Sequence, residues 1–556
     1  ANYSLKHLKL GVFRLYTKFD SDMKFYQRKL YALLQAPELR NWNDDVTSQL
    51  ACLRENTSLK ELQNWWRQVG KQAQDISSSS DHLNLEPIEN EENLDTVTAC
   101  HPISGQKQRV KALQVGNQPD MDWIKGRKDA KEVFWWFWRF YPELLANKQH
   151  DALLFPAHTV LPDCSLHSHQ SAVSALTGAM FSEKWEGREP QTPYLLVFTF
   201  SPVQEFIKSS RKFLDFWAGS YLLHYLSTKL CWHIANELGP DAVIIPSLWS
   251  QEIIDALLIQ KYPDFAPYFN LLQEGKNPVN RFKEKTSTSL STAGFPNAIT
   301  VLVPGKDAAQ QWGKCLAAQL TQEWVQIGEK VRKHIRHKVT HFLRKQTPEE
   351  LELILKEVFP EFQRDSSKLE LYRKELEDLG DEKKHGCWEW KNLWEVQLNY
   401  TWEPYWTAIP LGNPEPKARL TIQKNNGTFD KTWLNTQTEI AQPFVDLPDK
   451  FENEFYTHLN VGTWWGSIQQ RLRLCLNDVK YTRNWQIATA PGERSTISGQ
   501  FSAVHPRFNY TTKNISQDKI IDFREGAGVP IGSMRLFWYV MSKAYPGLFN
   551  GSEKLN

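Results

Sequence analysis

"YLLVFTFSPVQEFIKSSRKFLDFWAGSYLLHYLSTKL", residues 194–230, decides the fold. Tyr194 to Phe200 is an unbroken apolar run of strand length, the pattern of a strand buried on both faces. Helical spacing then takes over and predicts one long helix from about Pro202 to Glu237. Ser201-Pro202-Val203-Gln204 has capping-box spacing: Ser201 accepts from the amide of Gln204, and Gln204 reaches back to the amide of Ser201. Pro202 falls at the first helical position, where its missing N–H is no loss. A helix start also exposes free amides and positive potential, which suits phosphate. Pro202 and the Ser201 cap withdraw two of those donors, so the segment is not a P-loop. Arg211 and Asp215 stand four residues apart, an ion-pair spacing. Gly219 in a helix interior costs about 1 kcal/mol against Ala, which is tolerated where a ligand or another backbone comes close. Ser201, Gln204, Arg211, Asp215, Gly219 and Ser220 are therefore read as one approached face.

Outward from that block, residues 241–247 (DAVIIPS), 297–304 (NAITVLVP) and 404–412 (PYWTAIPLG) have strand character. A helical pattern runs from about 308 to 345. The order β-α-β-β-α-β is that of a ferredoxin-like unit. The fold class is thus α+β, with residues 191–412 as the ferredoxin-like domain and inserts at 248–296 and 347–400. Residues 1–190 read as a mainly helical domain. Within it, KEVFWWFWRFYPELL (131–145) is a buried aromatic helix, and Ser168 is placed to cap a helix with the small-residue face Ala172, Ala175, Leu176 and Ala179. Residues 413–556 read as helical with a turn-rich middle.

The 556 residues give a prior of two to four domains. Lys and Arg number 66 against 64 Asp and Glu, a formal charge of +2, so any basic surface has to be local. Seven dispersed cysteines with no CxxC pair argue against a disulfide framework and against a zinc site, and fit a reducing cytoplasm. The N-terminus lacks a signal-peptide pattern, and no apolar run is long enough to cross a membrane. The 23 Trp are read first as core; stacking surfaces for bases or sugars are the alternative.

One local basic surface stands out. KVRKHIRHKVTHFLRK (330–345) carries Arg332, Lys333, Arg336 and Lys338, a candidate contact for RNA or a protein partner, and sets His334, His337 and His341 near one face. The triad lacks a carboxylate partner, so it is not read as a metal site. The Trp-rich stretch 387–406 is read as packing of its insert.

Residues 201–226 closely resemble the signature of the large subunit of type III CRISPR effector complexes, particularly the Cmr type. That pattern runs Gly-Pro-Val-Gln-x-Phe-Ile, then Arg, then Asp-Leu-Trp-x-Gly-Ser; here Ser201 stands for the Gly and Phe216 for the Leu. LPDCSLHSHQSAVSALTGA (161–179), with His169 on the family's His, and the later strand segments are similar to the family in order along the chain. The resemblance implies a polymerase-type palm that holds ATP against a second palm, with Ser201, Gln204 and Ser220 facing the nucleotide and Arg211 and Asp215 in support. It implies guide crRNA, target RNA and other effector subunits as partners, and a cytoplasmic ribonucleoprotein. The family's Gly-Gly-Asp-Asp and N-terminal His-Asp motifs are absent from these residues, and TAPGERSTISGQ (489–500) resembles its zinc ribbon without the paired Cys. No catalytic residue, metal site or zinc is therefore expected, and Mg only with a second palm. Two alternatives stay open: a longer polypeptide whose second palm makes cyclic oligoadenylate, and a stand-alone Trp-rich ligand-binding protein.

Overall fold

The computed structural model describes residues 23–35, 40–55, 57–81, 96–100, 104–111, 119–157, 164–185, 190–210, 212–272, 277–287, 290, 294–362, 366–383, 388, 391–411, 461–482 and 528–546. The strands are β1 (Thr96–Cys100), β2 (Lys107–Lys111), β3 (Pro193–Ser201), β4 (Val243–Ile245), β5 (Ala298–Pro304) and β6 (Glu403–Pro410). The helices used below are α1 (Met23–Leu33), α2 (Ala130–Arg139), α3 (Leu166–Met180), α4 (Val203–Lys208), α5 (Phe213–Leu238), α6 (Gly305–Arg344), α7 (Pro348–Val358), α8 (Ser366–Gly380) and α9 (Gly528–Ala544). Helix and sheet are mixed, and the chain forms two compact units, each built from three separated segments.

The first unit comprises Ala1–Thr199, Tyr221–Ala317 and Pro404–Arg483. Its four-stranded sheet runs in the order β4-β5-β3-β6. β5 pairs antiparallel with both β3 and β4, so β3 and β4 run parallel with β5 inserted between them. β3 is buried along nearly its whole length, as the apolar run 194–200 requires. A separate hairpin, β1-β2, forms where the sequence suggested one short strand.

α3 packs on α1 and β5, and α1 also packs on α2. α2 is the predicted buried aromatic helix, with Trp135 and Trp136 fully inaccessible. α1 was expected to be amphipathic but is buried all round, including Gln27, Arg28 and Lys29. Its polar groups are spent as staples. Gln27 Nε2 donates to the carbonyls of Cys52 and Glu55, and Arg28 Nη2 to that of Ser182. Lys29 Nζ meets Asp241 Oδ1 at 2.8 Å and the Leu238 carbonyl at 2.7 Å. Buried polar groups persist only when paired in this way. The cap of α3 is Ser165, whose hydroxyl accepts from the amide of Ser168. The expected cap, Ser168, already lies inside the first turn.

The second unit comprises Phe200–Ser220, Ala318–Glu403 and Asn484–Asn556. Its core joins the end of α6 to α7, α8 and α9 through Val339, Leu343, Leu355, Phe359, Leu379, Leu536, Phe537 and Val540. Thr347 starts α7 with a complete capping box, its hydroxyl accepting from Glu350 N while Glu350 accepts from Thr347 N. Arg535 of α9 bonds Glu361 at 2.6 Å and the Val358 carbonyl at 2.5 Å, tying that helix to the end of α7.

Candidate functional site

β3 delivers Ser201 as its last residue, half-buried. The turn that follows differs from the expected capping box. Pro202 is itself the cap, with extended backbone (φ −90°, ψ 112°), and no side chain caps the helix. A cap residue is by definition non-helical, so fixing Pro202 there moves Ser201 one position too far out. Gln204 is exposed, and neither it nor Ser201 has a side-chain hydrogen bond among the described residues.

The single long helix predicted from Pro202 is also two helices. α4 ends at Ser209, whose hydroxyl donates to the Phe206 carbonyl at 2.7 Å. Serine side chains compete for local backbone groups, and the pair Ser209-Ser210 breaks the helix by that route. α5 begins at Phe213. Arg211 lies outside the described residues, so its predicted pairing with Asp215 is not on view. Asp215 itself is exposed.

α4 is anchored by aromatic rings of the second unit. Phe206 lies 5.7 Å from Trp324 and 4.9 Å from Trp402, and those two indoles are 5.4 Å apart. Phe200 packs edge-on to Trp402, and Trp324 Nε1 donates to Thr401 Oγ1 at 3.1 Å. Gly219 is buried beneath the same Phe206 ring. The close approach inferred for Gly219 is therefore made by a phenylalanine of this chain. Sequence reasoning missed this cage; its signal was the Trp-rich stretch, two of whose members, Trp388 and Trp402, are packed.

The first turns of α5 carry the sharper anomaly. Phe213 is 81% exposed and Leu214 72%, with Phe216 and Trp217 also open. The run KFLDFW signalled this, because an amphipathic helix would have set polar residues on its outer face. Large apolar groups gathered on one surface mark a place where something docks. Ser201, Gln204, Asp215 and Ser220 make no hydrogen bond or ion pair among the described residues, so their polar groups are uncommitted rather than joined in a preformed constellation.

The basic stretch lies on α6 as expected, but its arginines are committed. Arg332 pairs with Glu329 and donates to the Trp388 carbonyl, and Arg336 donates to the Glu382 carbonyl. Lys333 and Lys338 are exposed. The His337 and His341 rings stack 6.1 Å apart, and His334 lies against Tyr545. Among the described residues no cluster of His, Cys, Asp or Glu could hold a metal ion. His150-Asp151 lies in a short 3-10 turn, where Asp151 Oδ2 accepts from the Lys111 amide at 3.4 Å. The ribbon-like residues 489–500 lie outside the described residues.

Residues 195–329 match the family described as CRISPR-associated protein Cmr2, N-terminal. That block, running from β3 through α5 to α6, makes the chain a relative of the large subunits of type III CRISPR effector complexes. Among them the similarity is to the CRISPR system Cmr subunit Cmr2 of Pyrococcus furiosus, 29% identical over 204 residues, or 33% of this chain and 19% of that one. The Cmr2 of Saccharolobus solfataricus is 26% identical over 156 residues, covering 27% and 14% of the two chains. A solved Type III-B Cmr-beta structure in the apo state covers 93% of this chain and 50% of its own at 16% identity, with a TM-score of 0.43. The chain thus aligns with less than a fifth of those curated relatives and about half of that structural neighbour. No described helix is long and apolar enough to cross a membrane.

Proposed function

We propose that this chain is a scaffold of an RNA-guided type III CRISPR ribonucleoprotein and supplies one wall of an ATP site. The observation that carries the reading is where the family-matching block falls in the fold. It begins on the central strand of a sheet whose order, counted along the chain, is 2-3-1-4. That order, with helices after the first and third strands, is the one a ferredoxin-like palm takes. The block then turns through α4 into the exposed apolar start of α5. On this reading residues 191–412 are the palm domain, preceded by a helical domain and followed by a ribbon-like region. Phe213, Leu214 and Phe216 are the surface that a second palm covers. Ser201, Gln204, Asp215 and Ser220 face the nucleotide from this side.

The chain's own residues bind and orient; they supply no paired carboxylates for nucleotidyl transfer. Mg and any transfer chemistry would come with the facing palm. Lys333 and Lys338 are the cations left to meet RNA backbone or a neighbouring subunit, and a cytoplasmic location follows from the same role. The test is affinity purification of the tagged chain from its cells. Guide-sized RNA and several stoichiometric proteins should copurify, and the assembly should retain radiolabelled ATP on a filter. A monomer free of RNA and of other proteins would overturn the proposal.

A further inference from the structure

The first unit holds a cleft of about 250 Å³ that this reading does not use. It lies at the start of α3 and is walled by Trp138 of α2, His167 and Ser171 of α3, Asp241, and the segment carrying Ser247 and Trp249. The rings of His167 and Trp249 stand 5.1 Å apart at 49°, giving two aromatic walls. Trp138 Nε1 donates to Ser171 Oγ at 3.0 Å, which leaves the serine proton available to an occupant. The Trp249 amide meets Ser247 Oγ at 3.4 Å, which fixes the turn carrying the indole.

Three polar groups here lack a partner among the described residues. Trp249 Nε1 is buried without an acceptor, and Asp241 Oδ2 without a donor, on a side chain whose residue is 4% exposed. The His167 ring makes no hydrogen bond. An unpaired buried donor or acceptor is costly and uncommon, and points to something that satisfies it. The space far exceeds what one water needs.

The electrostatics select the occupant. Asp241 is already neutralised by Lys29 at 2.8 Å. Arg139, 5.9 Å from the Trp249 ring, is held by Asp255 and Glu143. Burial, with Arg139 nearby, pushes His167 down to about 4, so it is neutral at neutral pH. No lysine or arginine lines the cleft, so a phosphate or carboxylate would leave water without a counter-charge. The fitting ligand is flat and uncharged, with donors and acceptors side by side along one edge.

We infer that the cleft binds a nucleobase, stacked against Trp249 and His167 with its polar edge on Trp249 Nε1, Asp241 Oδ2 and the Ser171 hydroxyl. The base comes either from a free nucleoside or from a nucleotide turned out of single-stranded RNA. This inference does not rest on the ATP-site proposal, whose residues belong to the other unit.

The test titrates the full chain with adenosine, guanosine, cytidine and uridine, followed by calorimetry and Trp fluorescence. At least one nucleoside should bind saturably, and ribose 5-phosphate should not compete. Trp249→Ala should weaken binding by about tenfold or more, the scale of one base stack. Trp249→Phe, which keeps a ring and loses the N–H, should weaken it less. Displacement of the nucleoside by a short single-stranded RNA would identify the base as presented by RNA, and failure to displace it would identify a free nucleoside. Absence of saturation by all four nucleosides at millimolar concentration would overturn the inference. So would equal competition by ribose 5-phosphate, or unchanged binding in Trp249→Phe and His167→Ala chains that melt like the parent.

Discussion

A methyl group added at Gly219 would meet Phe206 Cε1 at 3.5 Å, an ordinary contact, whereas one added at Gly313 would overlap the indole of Trp406. Both glycines lie inside helices, and the sequence alone marked only Gly219. Gly219→Ala should therefore raise stability to urea, by roughly 0.5–1 kcal/mol from helix propensity. If the chain still assembles but loses bound ATP, the glycine is kept for the nucleotide. Gly313→Ala should lower stability by about 1–3 kcal/mol through overpacking. An unchanged urea midpoint for Gly313→Ala would show that Trp406 moves aside freely. His224 is a second residue whose role was invisible in the sequence, because its partners lie seventy positions away. Its Nδ1 accepts from the amides of Gly294 at 2.9 Å and Phe295 at 2.8 Å, so that nitrogen must be unprotonated. Burial lowers its pKa. The folded state then binds fewer protons than the unfolded one, so the stabilisation is full above about pH 6.5 and is lost as pH falls toward the lowered value. Urea unfolding from pH 8 to 5 should show that slope in the parent and less of it in His224→Asn. Identical slopes would remove His224 from the account.

At the scale of the element, strands and long helices were legible because period and length are written locally. The buried strand 194–200 and the helix predicted at about 308–345 appear as β3 and α6. The break between α4 and α5 was not legible, because helical spacing continues across Ser209-Ser210 and only the aromatic cage decides which piece packs where. The cage makes its own prediction. Trp402→Ala removes the ring shared by Phe200, Phe206 and Trp324, and should cost about 3–5 kcal/mol. α4 should then become open to proteolysis before the rest of the chain; a parent-like digestion pattern would count against that anchoring. The exposed start of α5 should behave oppositely. Phe213→Ser with Leu214→Ser should leave the melting temperature nearly unchanged while weakening ATP retention by the assembled complex. Full retention would detach this surface from the proposed site. Of that site, the sequence carried the polar positions correctly as a segment, but the uncommitted state of their side chains could be read only from the fold.

Across the whole molecule, one buried pair joins segments far apart in sequence. Lys29 and Asp241 have side chains 1% and 0% exposed, and they tie α1 to the turn after α5 within the first unit. Gly239 takes φ +100° there, and a Cβ at that position would lie 2.5 Å from Asp241 Oδ1. Asp241→Asn should cost about 3–5 kcal/mol by leaving an ammonium buried without its counter-charge. Lys29→Met combined with Asp241→Leu should recover much of that loss, measured by urea midpoint. A double variant no better than the single one would mean that shape rather than charge fixes the turn.

The second unit has a consequence in time as well as in space. Its core is closed by α9 packing on α7 and α8, yet Met541 emerges from the ribosome long after Val339. At about 5–20 residues per second, the roughly 200 residues between them take about 10–40 seconds to synthesise. For that interval Leu355, Phe359 and Leu379 wait on a nascent chain without the leucine and phenylalanine side chains that later cover them. Chaperone occupancy on translating ribosomes should therefore rise after α8 has emerged and fall once α9 is out.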